Sequence, residues 1–155
     1  MTLNQNWARW IFASITKHFN DNRQGLVLHI EGTHRDTNTE TDLCELRIDG
    51  PWFNEVSKDY WIIRLEVNIL VQVTMNDSNF HKIHTNVGIM ASAFTDIEVK
   101  KYGDDDSLLF CLQLEQKPRN RSNDAIIISH FGQLDPNIKI QQATIEGHYE
   151  GTIVP

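Results

Sequence analysis

The chain has little of what marks secreted, membrane-spanning or disulfide-stabilised proteins. Its 155 residues include two cysteines, Cys44 and Cys111, and both lie in strand-like runs. The first residues, MTLNQNWARW, lack the basic region and apolar stretch of a signal peptide, so we expect two buried thiols rather than a disulfide. No apolar run approaches the roughly 18–20 residues that a transmembrane helix needs, and we predict no membrane partner.

Basic residues are also scarce, because 14 Lys and Arg stand against 21 Asp and Glu, a formal charge of −7. A protein that binds nucleic acid through its phosphates carries a basic face, since phosphate neutralisation supplies most of that affinity. The one basic cluster, Lys117, Arg119 and Arg121, lies in a predicted turn. The composition therefore argues against sequence-specific DNA binding, although it is compatible with an acidic protein past which DNA slides.

Motifs for catalysis and cofactor binding are missing. The chain contains no GxSxG, Walker loop, GxGxxG, CxxC or HExxH. The three adjacent carboxylates of GDDDS do not have the spacing of an EF-hand, and we interpret them as a solvated turn. We predict a protein that is not an enzyme, with no catalytic residue, no cofactor and no metal.

Seven histidines keep a metal-dependent alternative open. His81 and His84 form HxxH at the start of a predicted helix, and His29 and His34 lie on either side of Glu31. Zinc or manganese bound there would make the chain a small hydrolase if the fold brought these side chains together. We favour structural roles, because the apolar stripe of the helix places His84 on the buried side.

The longest regular pattern is a period of two. From Trp61 to Val73 every odd position is apolar, whereas even positions include Arg64, Glu66, Asn68 and Gln72. This alternation predicts a strand with one buried and one wet face. At ~3.3 Å per residue, residues 60–74 would span roughly 50 Å, although strands usually have about five or six residues.

Two amphipathic helices are predicted, over residues 6–20 and 78–94, because apolar side chains recur there at helical spacing. Shorter strands are predicted at 26–32, 43–51, 96–103, 108–117, 125–131 and 138–151. We therefore predict one α+β domain, residues 1–155, with a mostly antiparallel sheet. In this prediction one very long strand, at about 60–74, is packed by the two amphipathic helices.

The C-terminal strand changes phase between Ile140 and Ala143, which predicts a β-bulge near Gln141 and Gln142. His130 and His148 fall on neighbouring predicted strands, where they would pair across the sheet.

The wet face of residues 60–74 is too mixed for a simple solvent face, and we interpret it as a partly buried interface. Trp52 and Phe53 follow Asp49-Gly50-Pro51 at a predicted loop tip, where they either meet a partner or fold back onto the core. The loop at 33–42 and the tail GTIVP are expected to become ordered on assembly. The predicted interface residues are Trp52, Phe53, Arg64, Glu66, Asn68 and Gln72.

The chain resembles the small head–tail joining and tail-terminator proteins of tailed bacteriophages. The resemblance covers most of the chain and rests on NWARWIFASITKHFN at 6–20, EGTHRD at 31–36, and the long strand preceded by LRIDGP. It also includes the helix after that strand and the C-terminal FGQLDP and IQQATIEGHYEG segments. The last of these segments carries most of the resemblance.

The resemblance implies a virion structural protein that forms a homo-oligomeric ring, commonly a hexamer, in the neck or at the end of the tail. Such a ring stops growth of the tail tube, joins head to tail, and leaves a channel for genome passage. Its expected partners are its own copies, neighbouring neck and tail-tube proteins, and genomic DNA that passes without specific binding. It would be assembled in the host cytoplasm and would use no cofactor.

Two other classes of function stay open at this stage. A small α+β ligand-binding domain would need a concave apolar site with a few converging polar groups. A His-dependent metal hydrolase would need the fold to bring His29, Glu31 and His34 close to the HxxH pair.

Overall fold

The computed structural model describes residues 4–31, 42–74, 81–115, 125–135 and 138–154, without the side chains of 132–139. The loop predicted at 33–42 and the basic cluster at 117–121 lie, apart from Asp42, outside the described residues. The described part contains two helices and seven strands: α1 (Trp7–Asp21), β1 (Leu28–Ile30), β2 (Leu43–Ser57), β3 (Tyr60–Thr74), α2 (Lys82–Ser92), β4 (Ile97–Lys100), β5 (Leu108–Leu114), β6 (Ile126–Asp135) and β7 (Ile138–Ile153).

The prediction of an α+β fold with one very long strand is wrong. The molecule is mostly β, and its curled, mixed sheet forms a half-barrel accompanied by the two helices. Three strands are long, because β2 and β3 have 15 residues each and β7 has 16. The sheet order is β1-β2-β3-β7-β5-β4, with β6 also paired to β7. β1 runs parallel to β2, which makes the sheet mixed.

The strand β2 continues well past the point where Asp49-Gly50-Pro51 was expected to end it. Its pairing with β3 shifts register between Asp49 and Trp52 and then resumes with Trp52 opposite Arg64. Gly50 occupies this bulge with φ +100°, and a β-carbon there would come within 3.2 Å of the Arg64 carbonyl oxygen. A bulge thus accommodates a proline that would otherwise interrupt the ladder, so Trp52 and Phe53 lie in a strand and not at a loop tip.

The hydrophobic core lies between the helices and one face of the sheet. The odd positions of β3 from Ile63 to Val73 are all buried, as the period of two predicted. They belong to one cluster with the buried side chains of both helices and of β7. Aromatic rings complete the cluster, with Phe94 packed edge-on against Phe19 and stacked with Tyr149.

Two predictions for the C-terminal strand are wrong. β7 pairs with β3 without interruption from Ile140 to Ile153, so it has no bulge at Gln141 or Gln142. Register shifts occur instead in the neighbouring β6, between His130 and Gly132 and between Gln133 and Asp135. The prediction that the tail GTIVP becomes ordered on assembly is wrong for Gly151 to Ile153, which already pair with β3 in the single chain, and Pro155 lies outside the described residues.

Neither α1 nor α2 is long and apolar enough to span a membrane, and the described ranges contain no other helix that is.

Candidate functional site

The outward-facing residues of β2, β3 and β7 form a polar surface, hereafter the polar face. Directly opposite residues on paired strands share a face, and the register gives rows that cross all three strands. Both helices bury their apolar side chains in the cluster on the other side of the sheet. The rows consist of Gln72 and Gln142; Glu45, Leu70 and Thr144; Arg47, Asn68 and Glu146; Asp49, Glu66 and His148; and Trp52, Arg64 and Glu150.

The polar face carries an excess of negative charge. Five carboxylates, from Glu45, Asp49, Glu66, Glu146 and Glu150, accompany two guanidinium groups, from Arg47 and Arg64. An open depression of about 500 Å³ lies on part of this surface, against residues of β2, β3 and β7. A concave surface rich in one sign of charge focuses the electrostatic potential over its mouth.

Two predicted interface residues bind side chains of β7 across the polar face. Arg64 Nε lies 2.9 Å from Glu150 Oε2, and Gln142 Nε2 donates to Gln72 Oε1 at 2.8 Å. Both contacts link directly opposite residues, so they add side-chain contacts to the β3–β7 backbone ladder. Because the Arg64 side chain is 44% exposed, its ion pair contributes little to stability, about 0–1 kcal/mol.

Two other predicted interface residues, Glu66 and Asn68, belong to one hydrogen-bonded network. Asn68 Nδ2 donates to Glu66 Oε1 and to Asp49 Oδ2, both at 3.1 Å. Arg47 Nε then lies 3.4 Å from Asp49 Oδ1. The network holds the Glu66 carboxylate in one orientation beside β7.

His148 completes the network and was not predicted as a site residue. Its Nε2 lies 2.9 Å from Glu146 Oε1 and 3.7 Å from Glu66 Oε2. The three side chains are between 15% and 27% exposed, so they are more buried than the arginines beside them. Within the described ranges, they form the one group of three metal-ligating side chains whose donor atoms all lie within 4.8 Å of one another.

Sequence reasoning missed this group because Glu66 is far in the chain from Glu146 and His148. Glu66 and His148 become neighbours only through the β3–β7 register. The alternating pattern of IEGHYEG does place Glu146 and His148 on one face, but it does not identify the partner strand.

The two predicted aromatic interface residues lie in different environments. Trp52 is 57% exposed on the polar face. Phe53 is half-buried, with its ring centroid 6.1 Å from that of Trp7 on α1. Trp52 is therefore available to a partner, whereas Phe53 folds back onto the core.

The side chains of the alternative hydrolase site are not brought together in the described part of the chain. Glu31 lies 3.6 Å from Arg47, and no group of three metal ligands there includes His29 or the HxxH pair. His34 lies outside the described residues. His84 is exposed, contrary to its predicted burial, because α2 buries Ile83, Asn86, Val87 and Met90.

His130 does not pair with His148. It lies opposite Ala143 of β7, and its ring centroid is 5.0 Å from that of His84. Both of these histidines are exposed. Their two imidazoles form a close pair, on the face of the sheet that the helices cover.

Two further depressions bear on the ligand-binding alternative. An open groove of about 730 Å³ lies between β5 and the end of β7, where the lining includes Phe110, Cys111 and Gly151. A smaller niche of about 200 Å³ is lined in part by Cys44, Lys82 and the buried Asn86. Both are open rather than enclosed in the core, unlike the pocket that tight burial of a small molecule requires.

The two thiols are free and differ in burial. Cys44 is buried, as predicted, and burial raises its pKa to about 12. Cys111 is exposed, contrary to the prediction, because it lies on the outer side of β5. Partial burial raises the pKa of Cys111, and the nearby carboxylates of Asp96 and Glu98 raise it further. Neither thiol has the lowered pKa of a reactive cysteine.

Comparison with known proteins identifies a similar fold but no family. No protein-family model matches the chain, and no curated protein is significantly similar to it. Thirteen chains of solved structures do match. One of them aligns over 96% of this chain and 97% of its own length, with a TM-score of 0.59 and 11% sequence identity. At 11% identity this similarity shows that the fold occurs in another protein, and it gives no information about function.

Proposed function

We propose that the chain is a virion structural protein of a tailed bacteriophage, which forms an oligomeric ring at the head–tail junction or at the end of the tail. The family resemblance of the sequence suggests this role. The observation that carries the proposal is the polar face, an acidic surface with an open depression, built from three long strands. In the ring, the polar face would line the channel through which the genome passes, except at Trp52, which would meet the next subunit. The ring would stop tube growth at one end.

The charge of the polar face suits a channel through which DNA moves. DNA binds proteins mainly through its phosphates, so a wall with five carboxylates and two guanidinium groups does not retain it. The amide and hydroxyl groups of Asn68, Gln72, Gln142 and Thr144 keep the wall hydrated without adding positive charge. Genomic DNA is therefore a transient occupant of the ring rather than a specific ligand.

Exposed apolar side chains provide contacts between subunits. Trp52 and Val56 are 57% and 55% exposed on β2, and Ile128 and Phe131 are 44% and 55% exposed on β6. These strands lie on opposite sides of the β3–β7 pair. Two different patches, on strands that flank the β3–β7 pair, favour head-to-tail contacts, which close into a ring when the rotation between subunits allows it. We expect about six copies, stacked against neck and tail-tube proteins.

Cryo-electron microscopy of the purified protein tests the proposal. We expect closed rings in which the polar face, including Glu45, Asp49 and Glu146, lines the lumen. Rings in which Glu45, Asp49 and Glu146 are buried between subunits or turned outward would contradict the channel role. Particles without a lumen would contradict the ring.

A further inference from the structure

We propose that Glu66, Glu146 and His148 bind a first-row divalent cation, and that Zn²⁺ is the appropriate probe. The three side chains offer two carboxylate oxygens and one imidazole nitrogen within 4.8 Å of one another. Imidazole favours zinc and its transition-metal neighbours, whereas carboxylate oxygen is accepted by most divalent ions. The mixed set therefore selects a transition-metal ion over Ca²⁺ or Mg²⁺, which take oxygen ligands.

The spacing of the donor atoms fits such an ion. Bonds of about 2.1 Å in tetrahedral geometry place two ligand atoms about 3.4 Å apart. The observed distances from His148 Nε2, 2.9 Å to Glu146 Oε1 and 3.7 Å to Glu66 Oε2, lie on either side of that value. Small rotations of the side chains are enough to bring all three donors onto one ion.

The backbone that carries the ligands is rigid. Glu66 and His148 are directly opposite each other in a ladder that runs without a register shift from Trp61 to Thr74. Glu146 precedes His148 by two residues and so projects from the same face of β7. Ligands held on paired strands keep their positions better than ligands on loops. Asn68 adds a fixed hydrogen bond to Glu66, the kind of supporting contact that orients metal ligands.

The electrostatics of the site favour a cation. The Glu66 and Glu146 carboxylates approach the same histidine nitrogen. Arg64 and Arg47 lie nearby, but each has a carboxylate partner of its own, in Glu150 and Asp49. A divalent ion at the centre offsets the repulsion between the two ligand carboxylates.

Three protein ligands leave at least one coordination position open toward the polar face. A structural zinc site usually has four protein ligands, whereas an open site takes water or a donor from another molecule. The site lies within one chain, so it does not depend on ring formation. In a ring that exposed the polar face to the channel, it would repeat once per subunit.

Isothermal titration with Zn²⁺, on protein freed of metal with a chelator, tests the site. We expect one ion per chain for the wild type. Glu146→Gln and His148→Asn should each weaken binding by at least about 100-fold, and Asn68→Ala by about 10-fold through the loss of orientation. The matched control is the double variant His84→Asn with His130→Asn, which removes a close pair of imidazoles outside the site and should bind as the wild type does.

A second measurement separates loss of the site from loss of the fold. The unfolding temperature with EDTA should be similar in the wild type and in Glu146→Gln, and Zn²⁺ should raise it in the wild type alone. Absence of Zn²⁺ binding by the wild type would overturn the proposal. Binding that survives Glu146→Gln and His148→Asn, or that the His84 and His130 control abolishes, would also overturn it. Neither metal binding nor the unfolding temperature depends on the oligomeric state that tests the ring. A failure of the metal site is therefore distinguishable from a failure of the proposed function.

Discussion

Trp52 and Phe53 are adjacent in the chain but lie on opposite faces of β2. Trp52 is opposite Arg64 on the polar face and 57% exposed, whereas Phe53 is opposite Ile63 and packs against Trp7 on α1. One aromatic residue thus belongs to the surface and the next belongs to the core. This arrangement separates the effects of the two side chains on assembly and on folding.

Trp52→Ser should weaken assembly without destabilising the subunit. Because the indole side chain of Trp52 is exposed, we expect its replacement to change the free energy of unfolding by less than about 0.5 kcal/mol. Phe53→Ala, the matched variant, should lower the free energy of unfolding by about 2 kcal/mol. Replacing a fully buried phenylalanine with alanine costs about 3–5 kcal/mol, and Phe53 is half-buried. Denaturant unfolding and light scattering measure the two effects. Equal destabilisation by both variants, or unchanged assembly in Trp52→Ser, would contradict the account.

Gly147 is expected to be irreplaceable in β7. A β-carbon there would lie 2.5 Å from the Phe94 ring, which is held by Phe19 and Tyr149. Gly147→Ala should therefore cost about 1–3 kcal/mol through overpacking. Gly88→Ala is the control, because its β-carbon meets no atom within 4 Å in α2, and it should gain up to about 1 kcal/mol. Thermal unfolding of both variants measures this, and a stabilised Gly147→Ala would refute the packing described.

Asp42 should make stability depend on acid pH. Burial alone would raise its pKa, but hydrogen bonds from Lys82 and from the Thr74 amide, at 2.6 Å, outweigh burial and lower it. Because the pKa of Asp42 is lower in the folded protein than in the unfolded chain, where it is about 4, the ionised side chain stabilises the fold at pH values above about 4. This stability is lost as the pH falls through the folded-state pKa. Asp42→Asn should therefore cost about 0.5–1 kcal/mol at pH 7 and nothing at about pH 2.

The control for Asp42 is Asp21, whose ion pair with Lys17 is more than half exposed on both sides. Asp21→Asn should change the free energy of unfolding little at either pH. Urea unfolding at the two pH values measures both variants. A deficit in Asp42→Asn that persists at pH 2 would show that the charge is not its cause.

The two thiols should react at very different rates. Cys111 is exposed and should be labelled in the native protein, although slowly, because its raised pKa leaves little thiolate at pH 7. Cys44 is buried and should be labelled only after unfolding. Timed labelling followed by mass spectrometry gives both rates, and Cys111→Ser should abolish native labelling. Fast native labelling of Cys44 would contradict the core described.

Local pattern predicted the elements better than their arrangement. The alternation at 60–74 and the apolar stripe at 6–20 located β3 and α1 to within a residue or two, because each depends on neighbours in the chain. The length of β2 was missed because a proline normally ends a strand, and a bulge at Gly50 overrides that rule. The parallel β1–β2 pair and the central place of β7 depend on contacts between distant segments, which periodicity does not contain.

The candidate site was also predicted only in the part that depends on one strand. Alternation identified Arg64, Glu66, Asn68 and Gln72 as sharing a wet face, and the structure places all four on the polar face. It did not identify His148, which is 82 residues after Glu66 in the chain. The two residues become neighbours only through the β3–β7 register. Charge and spacing along one strand are readable from the sequence, whereas a cluster formed by two strands is not.

The absolute mass of the protein in solution, measured by native mass spectrometry across a range of concentrations, tests the central claim most directly. The ring account predicts a species with the mass of six 18.0 kDa chains, or a series of oligomers that approaches it as concentration rises. A mass of 18.0 kDa that persists at every concentration would contradict self-assembly into a ring.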